Sequence, residues 1–145
     1  PNIKLIIAPR YSNVPEIKAI IERLNLSSYV ELIFNPPMIE DYVNFADLVV
    51  LPYINLVGTE GNPSCLLEAM ACKTLVVTSD LPELREIANE LVFFSKPNDI
   101  YSLTKIIAEA LNNSDQKMIE NAYLKSREFS IDTITSQFLK LYRKV

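Results

Sequence analysis

One stretch decides the fold. It reads Asp47-Leu48-Val49-Val50-Leu51-Pro52, then a loop holding Gly58 and Gly61, then Asn62-Pro63-Ser64-Cys65-Leu66-Leu67-Glu68-Ala69-Met70-Ala71-Cys72, then Thr74-Leu75-Val76-Val77-Thr78. The outer segments are short apolar runs without alternation, the pattern of strands covered on both faces. Between them, Asn62-Pro63 is a helix-start signal. Asn caps free amides, and Pro is tolerated just inside a helix because its missing N–H would be unpaired there anyway. Strand, helix and strand in this order form a βαβ unit, which joins parallel neighbours.

The same alternation extends outward. Ile3-Lys4-Leu5-Ile6-Ile7-Ala8 reads as a buried strand stopped by Pro9. Asn13-Val14-Pro15-Glu16 opens a helix whose Ile17, Ile20, Ile21 and Leu24 share one face. Tyr29–Phe34 is a second strand, ended by Asn35-Pro36-Pro37, and Ile39–Phe45 is a short helix. Downstream, Asp80–Ala88 reads as a helix and Leu91–Phe94 as a fifth strand. Helices over 100–111, 115–129 and 133–144 follow. The pattern predicts an α/β fold: a doubly wound parallel sheet with C-terminal helices. No repeat, low-complexity tract or linker interrupts it, so residues 1–145 read as a single domain.

Composition removes several function classes. The chain has 145 residues, 49% hydrophobic and 22% charged, the profile of an ordinary globular domain. A net charge of −4 supplies no basic field for nucleic acid or an anionic membrane. With His 0, nucleophile systems built on Ser-His-Asp or Cys-His are excluded, as are His-based metal sites. With Gly 2, at 58 and 61, neither a G-x-G-x-x-G loop, which takes three, nor a P-loop, whose two lie five apart, can be written. Cys65 and Cys72, seven apart on one helix, are expected to be buried packing residues, since two cysteines make neither a disulfide framework nor a four-Cys zinc site. No apolar run approaches the ~18 residues of a membrane span, and a cytoplasmic location is expected. The chain opens Pro1-Asn2-Ile3-Lys4 and enters a strand at once, as a piece of a longer protein does.

In doubly wound sheets ligands bind beyond the carboxyl ends of the strands. The two glycines of the chain, Gly58 and Gly61, both sit in the loop after Leu51 and flank Glu60. Either the loop needs two flexible positions to turn, or its backbone approaches a ligand closely. If Asn62 is the N-cap, the free first-turn donors are Ser64 and Cys65, since Pro63 has none. Helix N-terminal amides of this kind suit an anion such as phosphate. Glu60 in the loop and Glu68 about a turn and a half into the helix flank that end. Two carboxylates astride a phosphate site suit a ligand with hydroxyls on both sides of its phosphates, as a nucleotide-sugar has.

These segments resemble a known family. Ala46-Asp47-Leu48-Val49-Val50-Leu51-Pro52, Glu60-x7-Glu68-Ala69-Met70-Ala71-Cys72, Val76-Val77-Thr78-Ser79-Asp80, Arg85-Glu86-Ile87 and Lys96-Pro97-Asn98-Asp99 are similar to the C-terminal, donor-binding half of retaining GT-B glycosyltransferases of group 1, also called family 4. The resemblance implies the Rossmann-like half of a GT-B fold that binds a nucleotide-diphosphate sugar. It implies retaining transfer of the glycosyl group to an acceptor held by an N-terminal domain, which would be missing here with the first strand and helix of this domain. Glu60 would meet the donor sugar as the catalytic carboxylate. Gly61, Asn62, Ser64 and Cys65 would hold sugar and phosphates, Glu68 the ribose, and Asn35 would border the base. Arg10, after the first strand, is placed either to meet a phosphate or as an exposed loop residue. Glu86 matches a family Glu near the crevice, or is an exposed helical residue. No metal and no cofactor is expected, the nucleotide-sugar being a substrate. No nucleic acid is expected as partner, and peripheral membrane contact is expected only through the missing half. Three departures stand out. Lys73 replaces a usual Gly, Leu81-Pro82-Glu83 replaces a Gly-Gly, and the cationic Gly-Arg…Lys element would lie before Pro1. The chain alone is expected to bind nucleotide weakly and transfer nothing. The alternative readings are a non-catalytic nucleotide-binding α/β module and a GT-B phosphorylase or epimerase.

Overall fold

The computed structural model describes residues 3–9, 14–57 and 63–143. Contacts divide the chain into two units, Pro1–Ile39 and Glu40–Val145, taken here in turn.

In the first unit β1 (Leu5–Ile7) and β2 (Val30–Leu32) pair in parallel, Leu5 opposite Val30 and Ile7 opposite Leu32. The crossover is α1 (Val14–Arg23); Asn13, expected to cap it, lies outside the described residues. The helix ends where Asn25 turns left-handed at φ 54. There Leu26 donates to the Ile21 carbonyl at 2.9 Å and Asn25 to that of Glu22 at 3.0 Å, satisfying the last carbonyls. The expected burial of the first strand is not observed: Leu5 is 47% and Ile6 42% exposed. Two short strands and one helix cannot cover both faces of a sheet, and α1 buries none of its own residues.

The second unit opens with α2 (Ile39–Phe45) and β3 (Val49–Leu51). It continues through α3 (Ser64–Ala71), β4 (Val76–Ser79), α4 (Pro82–Ala88), a 3-10 turn at Asn89–Leu91 and β5 (Phe93–Ser95). It closes with α5 (Ile100–Asn112), α6 (Gln116–Arg127) and α7 (Ile131–Tyr142). The strands run parallel in the order β3-β4-β5. Because the order advances one strand at a time, two crossovers of one hand put α3 and α4 on the same face.

Alternation along the strands separates two cores. Val49 and Leu51 of β3, Val76 of β4 and Phe94 of β5 face Leu66, Ala69 and Met70 of α3 and Leu84, Ile87 and Ala88 of α4. Val50, Leu75, Val77 and Phe93 face the other way, onto Leu103, Ile106, Ile107 and Ala110 of α5. Central β4 is therefore buried throughout. Helix α6 serves both cores, with Ala122 in the first and Met118 and Ile119 against the second. Polar side chains inside the sheet are satisfied by carbonyls: Thr78 Oγ1 donates to Leu51 at 3.1 Å and Ser95 Oγ to Thr78 at 3.3 Å.

Capping follows the side chains available. Asp99 accepts from the Ser102 amide to start α5, Asp115 from that of Lys117 to start α6, and Ser130 from that of Thr133 to start α7. The Asp99 carboxyl is held below its usual range, chiefly by the Ser102 amide. Five described non-glycine residues have positive φ, and four are Asn, at 25, 35, 89 and 98. A glycine-poor chain uses Asn, the residue that best tolerates the left-handed region. The fifth is Lys73, the position where the resembled family has Gly.

Three expectations change. The fourth helix starts at Pro82, because Leu81 is extended at ψ 142 and Asp80 turns back toward Arg85. The fifth strand starts two residues late, because Asn89 at φ 36 breaks α4 and the 3-10 turn takes up Leu91. The cysteines are not core residues: Cys65 is exposed and Cys72 half-buried. Leu66, Ala69 and Met70 take the buried stripe of α3, leaving Cys65, Glu68 and Cys72 on its flank.

Candidate functional site

The crevice end of the second unit is built where β3 stops and α3 starts. After Leu51 the chain turns at once, Tyr53 donating its amide to the Leu51 carbonyl at 3.0 Å. The Tyr53 ring packs against the first core, and its hydroxyl donates to Cys65 Sγ at 3.7 Å. That bond joins the exit of β3 to the first turn of α3.

Pro63, not Asn62, is the N-cap of α3. Its φ of −61 suits a proline, but its ψ of 117 is extended, so the helix begins at Ser64. The Pro63 carbonyl accepts from Leu66 at 3.1 Å. The first-turn amides of Ser64 and Cys65 have no acceptor within the helix, by position. The sequence expectation for these two donors therefore survives a change of cap. The positive end of the helix stands behind them.

Glu68 is exposed on the same flank as Cys65, one turn further on. Its charge reaches both neighbours on that flank. Burial first, then Cys65 and Glu68, push the Tyr53 phenol above its usual value. Burial first, then Glu40 and Glu68, push the Cys72 thiol up. Tyr53 and Cys72 therefore stay protonated and neutral at physiological pH.

Of the residues expected from sequence, the structure brings Ser64, Cys65 and Glu68 onto one helix end. Glu60, Gly61, Asn62 and Arg10 lie outside the described residues. Asn35 belongs to the first unit, exposed and left-handed at φ 42, three residues beyond β2. Glu86 is exposed on α4.

Two groups escaped the sequence reading. Tyr53 is one; its signal was a tyrosine placed just past the carboxyl end of an all-apolar strand. The other is the set Asp80, Arg85 and Phe94 beyond β4. Arg85 Nη2 donates to Asp80 Oδ2 at 2.8 Å, its Nε also bonds that carboxylate, and the guanidinium lies 4.3 Å over the Phe94 ring. The Arg85 hydrogen bonds hold the Asp80 carboxyl below its usual range. The partner of Asp80 is one turn into the next helix. Among the described residues no three His, Cys, Asp or Glu side chains gather as a metal site. No described helix is long and apolar enough to cross a membrane.

The architecture defines the class of protein: a Rossmann-like α/β fold of the GT-B glycosyltransferase type. It superposes on HepE of Anabaena in complex with UDP, with a TM-score of 0.87 at 21% identity over 100% of this chain and 42% of that one. Sucrose-phosphate synthase from Thermosynechococcus elongatus matches with a TM-score of 0.83 at 21% identity, over 97% of this chain and 38% of that one. The chain belongs to the family glycosyl transferases group 1, whose model matches residues 1–125. It is also similar to the O-antigen chain mannosyltransferase B of Escherichia coli, 28% identical over 86 residues, 58% of this chain and 23% of that protein. The chain thus spans well under half of the length of the relatives it matches.

Proposed function

We propose that this chain is the donor-binding part of a retaining glycosyltransferase. The observation that carries the reading is the α3 N-terminus: two amides without helical acceptors at Ser64 and Cys65, with the Glu68 carboxylate one turn away, in a chain of this transferase family. The amides donate hydrogen bonds to the diphosphate of a nucleotide-sugar, and Glu68 accepts hydrogen bonds from the ribose hydroxyls. HepE was solved with UDP and with UDP-glucose, which supports a nucleotide-sugar as the ligand here.

In the proposed reaction the bond from the anomeric carbon to the diphosphate oxygen breaks. The acceptor oxygen bonds to that carbon on the same face, and the acceptor's proton passes to a phosphate oxygen of the leaving group. Glu60 faces the positive charge that grows on the sugar. The amides stabilise the negative charge that grows on the diphosphate, an oxyanion-type contribution. No His, metal or cofactor is required in this scheme. The acceptor is held by an N-terminal domain, and the 145-residue chain alone transfers no sugar.

The test is Glu68→Ala in titration calorimetry with UDP and GDP as probes. Loss of charge-assisted hydrogen bonds to the ribose weakens binding by about 1.5–3 kcal/mol. The fold is preserved, since Glu68 is exposed. Equal affinity in variant and parent removes the ribose assignment.

A further inference from the structure

Tyr53 is used by nothing in the scheme above, yet its side chain links the exit of β3 to the first turn of α3. Its backbone is anchored to β3 through the Leu51 carbonyl at 3.0 Å. Its ring is packed in the first core. Its hydroxyl reaches Cys65, the second residue of α3. A half-buried hydroxyl must find a partner to offset its lost hydration, and a thiol sulfur is a weak acceptor. Packing alone would be served as well by Phe, so the hydroxyl is the part that needs a reason.

We propose that Tyr53 is a positioning residue of the donor site. Its hydroxyl, held by Cys65 Sγ, locks the first turn of α3 to the carboxyl end of β3, so that the Ser64 and Cys65 amides and the Glu68 carboxylate meet a nucleoside diphosphate in one preformed arrangement. This rests on the donor-site reading above. Affinity gained this way comes from order set before binding, since a helix end free to shift would have to be fixed by the ligand. Burial, Cys65 and Glu68 all disfavour the phenolate, so the hydroxyl remains a donor throughout the physiological range and the lock does not titrate there.

The test is a double-mutant cycle in the full-length protein, read by UDP and GDP calorimetry. Tyr53→Phe keeps the ring and removes the donor; Cys65→Ala removes the acceptor and keeps the amide. Each single variant is expected to raise Kd about 3- to 10-fold, the range of one neutral hydrogen bond. The double variant is expected to be no worse than either single, because both remove the same bond. Cys65→Ser, which restores an acceptor oxygen, recovers most of the loss. In turnover assays Tyr53→Phe raises donor KM and also lowers kcat, since the amides it positions stabilise the charge that grows on the diphosphate. Parent-like affinity in Tyr53→Phe, or losses that multiply in the double variant, overturns the lock. If Tyr53→Phe does not fold, Cys65→Ala decides alone, because Cys65 is exposed: unchanged Kd overturns the proposal. Glu68→Ala measured beside them separates the two ideas. Weak binding there with a neutral Tyr53→Phe sinks only the positioning role. A neutral Glu68→Ala removes the ribose assignment alone, whereas a parent that binds neither nucleotide sinks the site reading and the lock together.

Discussion

Lys73 Nζ lies 2.8 Å from Glu120 Oε2 and 4.4 Å above the Tyr123 ring, tying the end of α3 to the middle of α6. Lys73 is the residue just past the C-cap of α3, left-handed at φ 57. Around it Thr74 donates to the Ala69 carbonyl at 3.2 Å and Lys73 to that of Met70 at 3.1 Å, the closing pair that usually calls for glycine. The backbone strain and the side-chain contacts oppose each other, and their balance can be measured.

A non-glycine residue in this conformation costs about 1 kcal/mol. The half-exposed ion pair returns about 0.2–1 kcal/mol and the cation–π contact about 0.5–1 kcal/mol. Lys73→Ala keeps the strain and loses the contacts, so urea unfolding should show a loss of about 1 kcal/mol. Lys73→Gly loses the contacts but relieves the strain, and its stability should fall within about 0.5 kcal/mol of the parent. An alanine variant as stable as the parent would show that the contacts contribute nothing.

The Asp80–Arg85 pair predicts a pH dependence. A carboxyl held low in the folded state binds protons more readily when unfolded, so its contribution is present above the ordinary carboxylate range. That contribution is lost as pH falls through the lower folded value. Thermal unfolding should therefore separate the parent from Asp80→Asn at neutral pH, with the two curves converging in strong acid. The gap should also shrink with salt, because both side chains are nearly half exposed. A gap that persists unchanged at about pH 2, below the ordinary carboxylate pKa, contradicts this account.

Glu60 separates an enzyme from a scaffold. A carboxylate that only shapes its loop is nearly replaced by an amide of the same size. One that faces growing positive charge on the sugar is worth more in the transition state than in the ground state. Glu60→Gln in the full-length protein should lower kcat about 10²–10³-fold with donor affinity nearly unchanged. Unchanged kcat would demote Glu60 to loop structure.

Much of the architecture was legible because its signals are local. The apolar runs at Val49–Leu51 and Leu75-Val76-Val77 marked parallel strands, since a strand covered on both faces dispenses with alternation. The Asn62-Pro63 start signal between them announced α3, and Ser64, Cys65 and Glu68 could be placed on one helix end from their numbers alone.

Tertiary structure decided what depends on partners remote in the chain. The exposure of Cys65 and Cys72 followed from which stripe of α3 the sheet accepted, a choice that spacing by seven cannot make. The cap moved from Asn62 to Pro63 because a single ψ was extended. The bond from Tyr53 to Cys65 spans 12 positions, and that from Lys73 to Glu120 spans 47. Neither pair shares a helix face or a strand register, so no local period could bring them together. They meet because the parallel sheet sets the exit of β3 beside the start of α3 and because the core lays α6 against α3. Packing, which acts on surfaces rather than on sequence neighbours, chose those contacts.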